Sequence, residues 1–124
     1  MNRCLAPSLV VTAGDAVGSG GRTLQILQVE DSPRYRTNLG IAELNGQPAT
    51  AEITVYLPDS KVAPRIDVPL GAYEYRQFGL QQLGLGNVYN ARISVNVVGG
   101  SGKITAYGSV IDQQTQDPTY VPAQ

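Results

Sequence analysis

The stretch Ala91-Arg92-Ile93-Ser94-Val95-Asn96-Val97-Val98-Gly99-Gly100-Ser101-Gly102-Lys103-Ile104-Thr105-Ala106-Tyr107-Gly108-Ser109-Val110-Ile111-Asp112 decides the fold class. Two runs in it alternate strictly. Ala91, Ile93, Val95 and Val97 lie opposite Arg92, Ser94 and Asn96, and Ile104, Ala106, Gly108 and Val110 lie opposite Thr105, Tyr107, Ser109 and Ile111. Alternation rich in β-branched residues is the mark of a strand with one buried face. The glycine-rich break at Gly99-Gly100-Ser101-Gly102 reads as a hairpin turn, because glycine supplies the positive φ that tight turns require.

The same pattern extends outward from this stretch. Leu24, Ile26 and Gln28 oppose Gln25, Leu27 and Val29. Tyr35, Thr37, Leu39 and Ile41 share one side, and Ala51, Ile53, Val55 and Leu57 alternate with Glu52, Thr54 and Tyr56. Weaker strand signals cover Leu5–Thr12, Val62–Val68, Ala72–Phe78 and Pro118–Val121. Turn signals punctuate them at Asn45-Gly46-Gln47-Pro48, Pro58-Asp59-Ser60 and Pro69-Leu70-Gly71. Leu80 and Leu83 suit a single helical turn within Gln77–Leu85, and no segment supports a long amphipathic helix. The expected fold is all-β: an antiparallel β-sandwich, Ig-like or jelly-roll-like, of about eight or nine short strands with at most one short helical turn.

The 124 residues make one domain. Glycine-rich residues 14–22 read as a flexible joint between an N-terminal arm, 1–13, and the sandwich, 23–124. The run Leu9-Val10-Val11 is too short and too interrupted by Pro7 and Ser8 for a signal peptide, so the opening reads as part of the mature chain. Leu5, Leu9, Val10 and Val11 make the arm apolar. It is expected to pack as a strand, either on its own body or on another copy, giving a homo-oligomer or polymer.

Composition excludes much chemistry. Nine basic and ten acidic residues give a net charge of −1, which argues against nucleic acid as a partner. No apolar run is long enough for membrane insertion through a helix. There is no histidine, so no His general base or His metal ligand, and a single cysteine forms neither an intrachain disulfide nor a Cys-rich zinc site. Ser19, Ser101 and Ser109 have no basic partner in sequence that would make a nucleophile, and Val17–Gly21 lacks the lysine of a phosphate-binding loop. No cofactor and no enzymatic activity are expected.

Three sets of residues stand out. Asn38 and Gly40, beside Arg36, are poor strand formers in the middle of a strand. The structural reading is a β-bulge, with Asn38 side-chain hydrogen bonds fixing a crossing loop; the functional reading is ligand contact by Arg36 and Asn38. Asp112, Thr115 and Asp117 suit a turn closed by side-chain acceptors. Asp112 and Asp117 are also a sparse calcium candidate, since calcium prefers six to eight oxygens, and a remote glycosidase pair. Seven tyrosines accompany one phenylalanine and no tryptophan. Tyr73, Tyr75, Tyr89, Tyr107 and Tyr120 fit half-buried sheet packing, a partner interface or sugar stacking. A row of exposed tyrosines on one sheet face would favour a carbohydrate.

The chain resembles an uncharacterised β-sandwich module of predicted secreted bacterial proteins, often found in tandem. The likeness spans about residues 15–124. It rests on Tyr35-Arg36-Thr37-Asn38-Leu39-Gly40 and Ala106-Tyr107-Gly108-Ser109-Val110-Ile111-Asp112, followed by Thr115, Asp117-Pro118 and Val121-Pro122-Ala123. Leu57-Pro58-Asp59 and Tyr75-Arg76-Gln77 stand at matching places. The resemblance implies an extracellular or cell-surface, non-catalytic spacer or assembly module that works by strand pairing and interface packing. It carries over no catalytic residues. A carbohydrate-binding sandwich and a viral capsid or decoration protein are the alternatives.

Overall fold

The structure is a computed structural model that describes residues 16–58, 65–84 and 86–123. Its strands are β1 (Leu24–Asp31), β2 (Tyr35–Glu43), β3 (Ala49–Tyr56), β4 (Ile66–Leu70), β5 (Tyr75–Gly79), β6 (Val88–Gly100), β7 (Ile104–Asp112) and β8 (Pro118–Pro122), with a 3-10 turn, Leu80–Leu83, after β5. Every pairing is antiparallel. Two four-stranded sheets form, in the orders β1-β6-β3-β4 and β5-β2-β7-β8. The expected β-sandwich is therefore the fold, with eight strands among the described residues. Of the weakly signalled segments, Val62–Val68 overlaps β4 at Ile66–Val68, residues 59–64 lying outside the described residues, and Ala72–Phe78 shifts to Tyr75–Gly79. The candidate strand Leu5–Thr12 lies outside the described residues.

The inward side chains are those the alternation selects. Ala51, Ile53 and Val55 from β3 and Ile93, Val95 and Val97 from β6 meet Leu39 and Ile41 from β2 and Ile104 and Ala106 from β7. Gly108 is inward as well, and a Cβ there would stand 3.1 Å from Cγ2 of Ile26, so its missing side chain makes room for the facing sheet. β1 departs from simple alternation. Ile26 pairs with Ile93 and Val29 with Ala91, so one extra residue is accommodated, with Gln28 at φ 58°. This bulge leaves Leu27 and Gln28 in solvent and returns Val29 to the core, instead of placing Gln28 inside.

The residues between β6 and β7 do not form the expected hairpin. β6 belongs to the first sheet and β7 to the second, so residues 101–103 carry the chain across the sandwich, while Gly99 and Gly100 still pair with Thr50 and Ala49. The glycines serve close approach. Gly100 has φ 81°, and a Cβ on Gly100 or Gly102 would lie 2.3 Å from a carbonyl oxygen of Pro48 or Gln47, respectively. The connections β1→β2, β2→β3, β4→β5 and β5→β6 also change sheets.

Three of these crossings meet at one side chain. Glu43, next in the inward row after Leu39 and Ile41, is 1% exposed. Its Oε1 accepts from the backbone N–H of Gly46 at 2.7 Å, Gln47 at 3.1 Å and Tyr73 at 3.0 Å. Its Oε2 accepts from Asn45 at 2.7 Å and Lys103 at 2.9 Å. Tyr73 takes φ 57° to present its N–H. Burial opposes the charge, but the donors from Tyr73, Lys103, Asn45 and Gly46 outweigh it and hold the carboxyl at about 2, against an ordinary 4.5.

Within the glycine-rich segment, the described residues begin at Ala16. Val17 is buried, and it exchanges N–H···O bonds of 2.9 and 2.8 Å with Ile104. An apolar side chain and a strand-like bridge hold Val17 to the start of β7.

A carboxyl held at about 2 in the fold and near 4.5 when unfolded contributes stability that is full above pH 4.5 and lost as pH falls toward 2. Glu43→Gln removes the charge and turns an N–H donor toward N–H donors. Denaturant titration at neutral pH should show a loss of about 3 kcal/mol or more. The gap between wild type and variant should narrow between pH 4.5 and 2. An unchanged midpoint in the variant would refute this role for Glu43.

Candidate functional site

The outer face of the second sheet carries the side chains left over by the inward alternation. β2 contributes Arg36, Asn38 and Gly40; β7 contributes Tyr107 and Ser109; β5 contributes Tyr75 and Gln77; β8 contributes Tyr120. The register sets Gly40 between Gln77 on one side and Tyr107 on the other, and Ser109 between Asn38 and Tyr120.

Gly40 is the residue that organises this face. A Cβ there would lie 2.2 Å from Cε1 of Tyr107. Without one, the Tyr107 ring lies across β2 and reaches β5. Its hydroxyl stands 2.5 Å from that of Tyr75, and Gln77 Oε1 accepts from Tyr75 at 2.5 Å and from Tyr107 at 3.2 Å. On the other side the rings of Tyr107 and Tyr120 are 6.0 Å apart and tilted by 50°, within the separation range of interacting aromatic pairs. Three tyrosines thus span the sheet from edge to edge. Burial first, and then the neighbouring Tyr75, pushes the Tyr107 hydroxyl up to about 12.

Beside this row is a hollow of about 290 Å³ lined by Arg36, Asn38, Gln77 and Ser109, with Tyr107 and Tyr120 at its side. It combines aromatic faces with amide, hydroxyl and guanidinium groups.

The expectations for Arg36, Asn38 and Gly40 divide. All three share this outer face. The predicted bulge does not form, because β2 pairs without interruption with β5 through Asn38–Ala42 and with β7 through Tyr35–Glu43. Asn38 points away from the core, so it does not fix the crossing loop. That role falls to its neighbours. Asp31 Oδ2 accepts from the Thr37 N–H at 3.1 Å, the Thr37 hydroxyl donates to the Glu30 carbonyl, and Ser32 Oγ accepts from Arg34 and Tyr35.

Asp112, Thr115 and Asp117 close the β7–β8 turn. Asp112 Oδ1 accepts from the Gln114 N–H at 2.9 Å and its Oδ2 from Arg34 Nη2 at 3.2 Å. The Gln114 donor lowers this carboxyl most, burial opposes it, and Arg34 adds to the lowering, so it stays below the usual range. Thr115 Oγ1 accepts from the Asp117 N–H at 3.3 Å. Both Asp112 oxygens thus have protein donors, and no group of three or more Cys, Asp or Glu side chains suited to a cation occurs among the described residues. Leu5, Leu9, Val10 and Val11 lie outside the described residues.

Sequence reading did not single out Glu43, Gln77 or Ser109 as functional. Glu43 had a signal: it continues the inward row of Leu39 and Ile41 and stands just before Asn45-Gly46, so a carboxylate was due at a buried turn.

No family model matches the chain. No curated protein matches it either. Among solved structures, the crystal structure of Thermotoga maritima 1070 is similar, with a TM-score of 0.65 over 86% of this chain and 91% of that one, at 16% identity. At that identity the likeness is one of fold.

Gly40→Ala should displace the Tyr107 ring and cost about 1–3 kcal/mol, as overpacking does. Tyr75→Phe should leave the fold intact and lower the Tyr107 pKa from about 12 part of the way to the ordinary 10. NMR of labelled tyrosine reads both effects; a Tyr107 that titrates identically in both variants would show that the ring is not placed by these contacts.

Proposed function

We propose that the chain is a non-enzymatic carbohydrate-binding module that uses the outer face of the second sheet. The observation that carries this reading is the tyrosine row of Tyr75, Tyr107 and Tyr120 beside the polar hollow. Sugar rings offer C–H faces that pack on aromatic rings. Their hydroxyls both donate and accept, as do the Asn38, Gln77 and Ser109 side chains. A non-catalytic role is supported by the absence of histidine and by the engagement of the Glu43 and Asp112 carboxylates with structural donors. In this reading the module works outside the cell or at its surface, the setting that the resemblance of residues 15–124 implies.

Assembly by strand pairing has less support. Outer strand β1 is bulged at Gln28, β4 carries Pro69, β5 has five residues, and β8 carries Pro118 and Pro122. Prolines, bulges and short strands blunt sheet edges against added strands. The arm residues proposed for strand exchange lie outside the described residues.

A glycan array followed by calorimetry tests the reading. Tyr120→Ala should lower affinity for the bound glycan at least about tenfold, or ~1.4 kcal/mol, with Tm little changed. Binding to no glycan, or full affinity in the variant, would contradict it.

A further inference from the structure

We infer that the hollow takes an acidic sugar, with the sugar carboxylate on Arg36; this rests on the carbohydrate reading and adds the ligand's charge to it. Arg36 is the one charged residue among those lining the hollow. Four other arginines are engaged within the fold: Arg34 with Asp112, Arg65 with Glu52, Arg76 with Glu74, and Arg92 with Gln25 and the Tyr56 ring. Among the described residues no carboxylate pairs with Arg36 in this way. The charge of the nearby Asp112 is paired with Arg34, and Asp117, exposed between Gln116 and Pro118, is not among the residues lining the hollow.

A guanidinium presents a planar fork of donors that matches a carboxylate in two parallel bonds. Ile111, paired with Arg36 across the β2–β7 ladder, and Pro118 supply apolar surface beside it. Arg36 itself is exposed, so recognition rests on the two-bond fit of its fork more than on reduced screening. Asn38, two residues along the same strand face, stands about 6.6 Å away by strand geometry. That spacing sets its amide beside the hydroxyls of the sugar unit whose carboxylate Arg36 holds. The whole chain offers no general attraction for anions, since its net charge is −1. Selection for an acid therefore rests on this local charge and on the polar and aromatic groups around it. A neutral glycan would leave the Arg36 charge without a counter-charge in the hollow.

The test is calorimetry of the full chain with polygalacturonate and alginate, each alongside its carboxyl-reduced, neutral form. The expected result is at least tenfold tighter binding to one acidic polymer than to its reduced form. Arg36→Gln should remove that difference at unchanged Tm, and Arg36→Lys should keep part of it. Equal affinity for acidic and reduced forms, or an Arg36→Gln variant that keeps the preference, would overturn the inference. So would Arg36-dependent binding of polyphosphate as tight as that of the polysaccharide, since recognition would then read charge alone. If neutral glycans bind and neither acidic polymer does, this inference fails while the carbohydrate reading stands. If no glycan binds, both fail.

Discussion

The Glu43 carboxylate is the constraint on which the sandwich depends. A buried charge without a cation is costly, and here backbone donors alone offset the cost. Those donors come from the β2–β3, β4–β5 and β6–β7 connections, each of which carries the chain from one sheet to the other. One side chain therefore fixes the relative position of the two sheets at this end of the molecule. The arrangement also explains local oddities: the left-handed Tyr73, the left-handed Gly46, and Gly102, where a Cβ would lie 2.9 Å from Glu43 Oε2.

β2 joins this corner to the candidate site. Its inward row ends in Glu43, and its outward row is Arg36, Asn38 and Gly40. Regular pairing on both sides keeps the two rows in phase. Anchoring Glu43 therefore also fixes the level at which Gly40 lets Tyr107 cross the strand. The face is preorganised by hydroxyl and amide bonds among Tyr75, Gln77 and Tyr107. Arg36 and Asn38 are not part of that network, and in the proposed reading they contact the ligand. A site whose aromatic surface is rigid and whose polar groups are few and convergent suits a small polar ligand.

Most of the architecture was legible because alternation reports burial directly. The inward rows Ala51–Val55, Ala91–Val97 and Ile104–Gly108 follow the alternation residue by residue, while β6 breaks it at Asn90, with φ 51°. The failures have physical causes. The Gly99–Gly102 break signals positive φ and close approach, but a hairpin and a sheet crossing both use these, and only the partner backbone at Gln47 and Pro48 distinguishes them. Asn38 and Gly40 looked like a bulge because both are poor strand formers. The real reason for Gly40 is a ring on the neighbouring strand, and pairing that distant is not written locally. The bulge at Leu27–Gln28 escaped notice since an extra residue on an outer strand leaves composition unchanged. The tyrosines were visible as a class, but which of them share a face depends on strand order.

The central claim is that ligand recognition occurs on the outer face of β5-β2-β7-β8. The most direct measurement is an amide-resolved NMR titration of the full chain with a galacturonate oligomer. The account predicts saturable shifts confined to Arg36, Asn38, Gln77, Tyr107, Ser109 and their neighbours, with the first sheet unaffected. Shifts centred on β1, β3 or β6, or a spectrum that does not change, would contradict it.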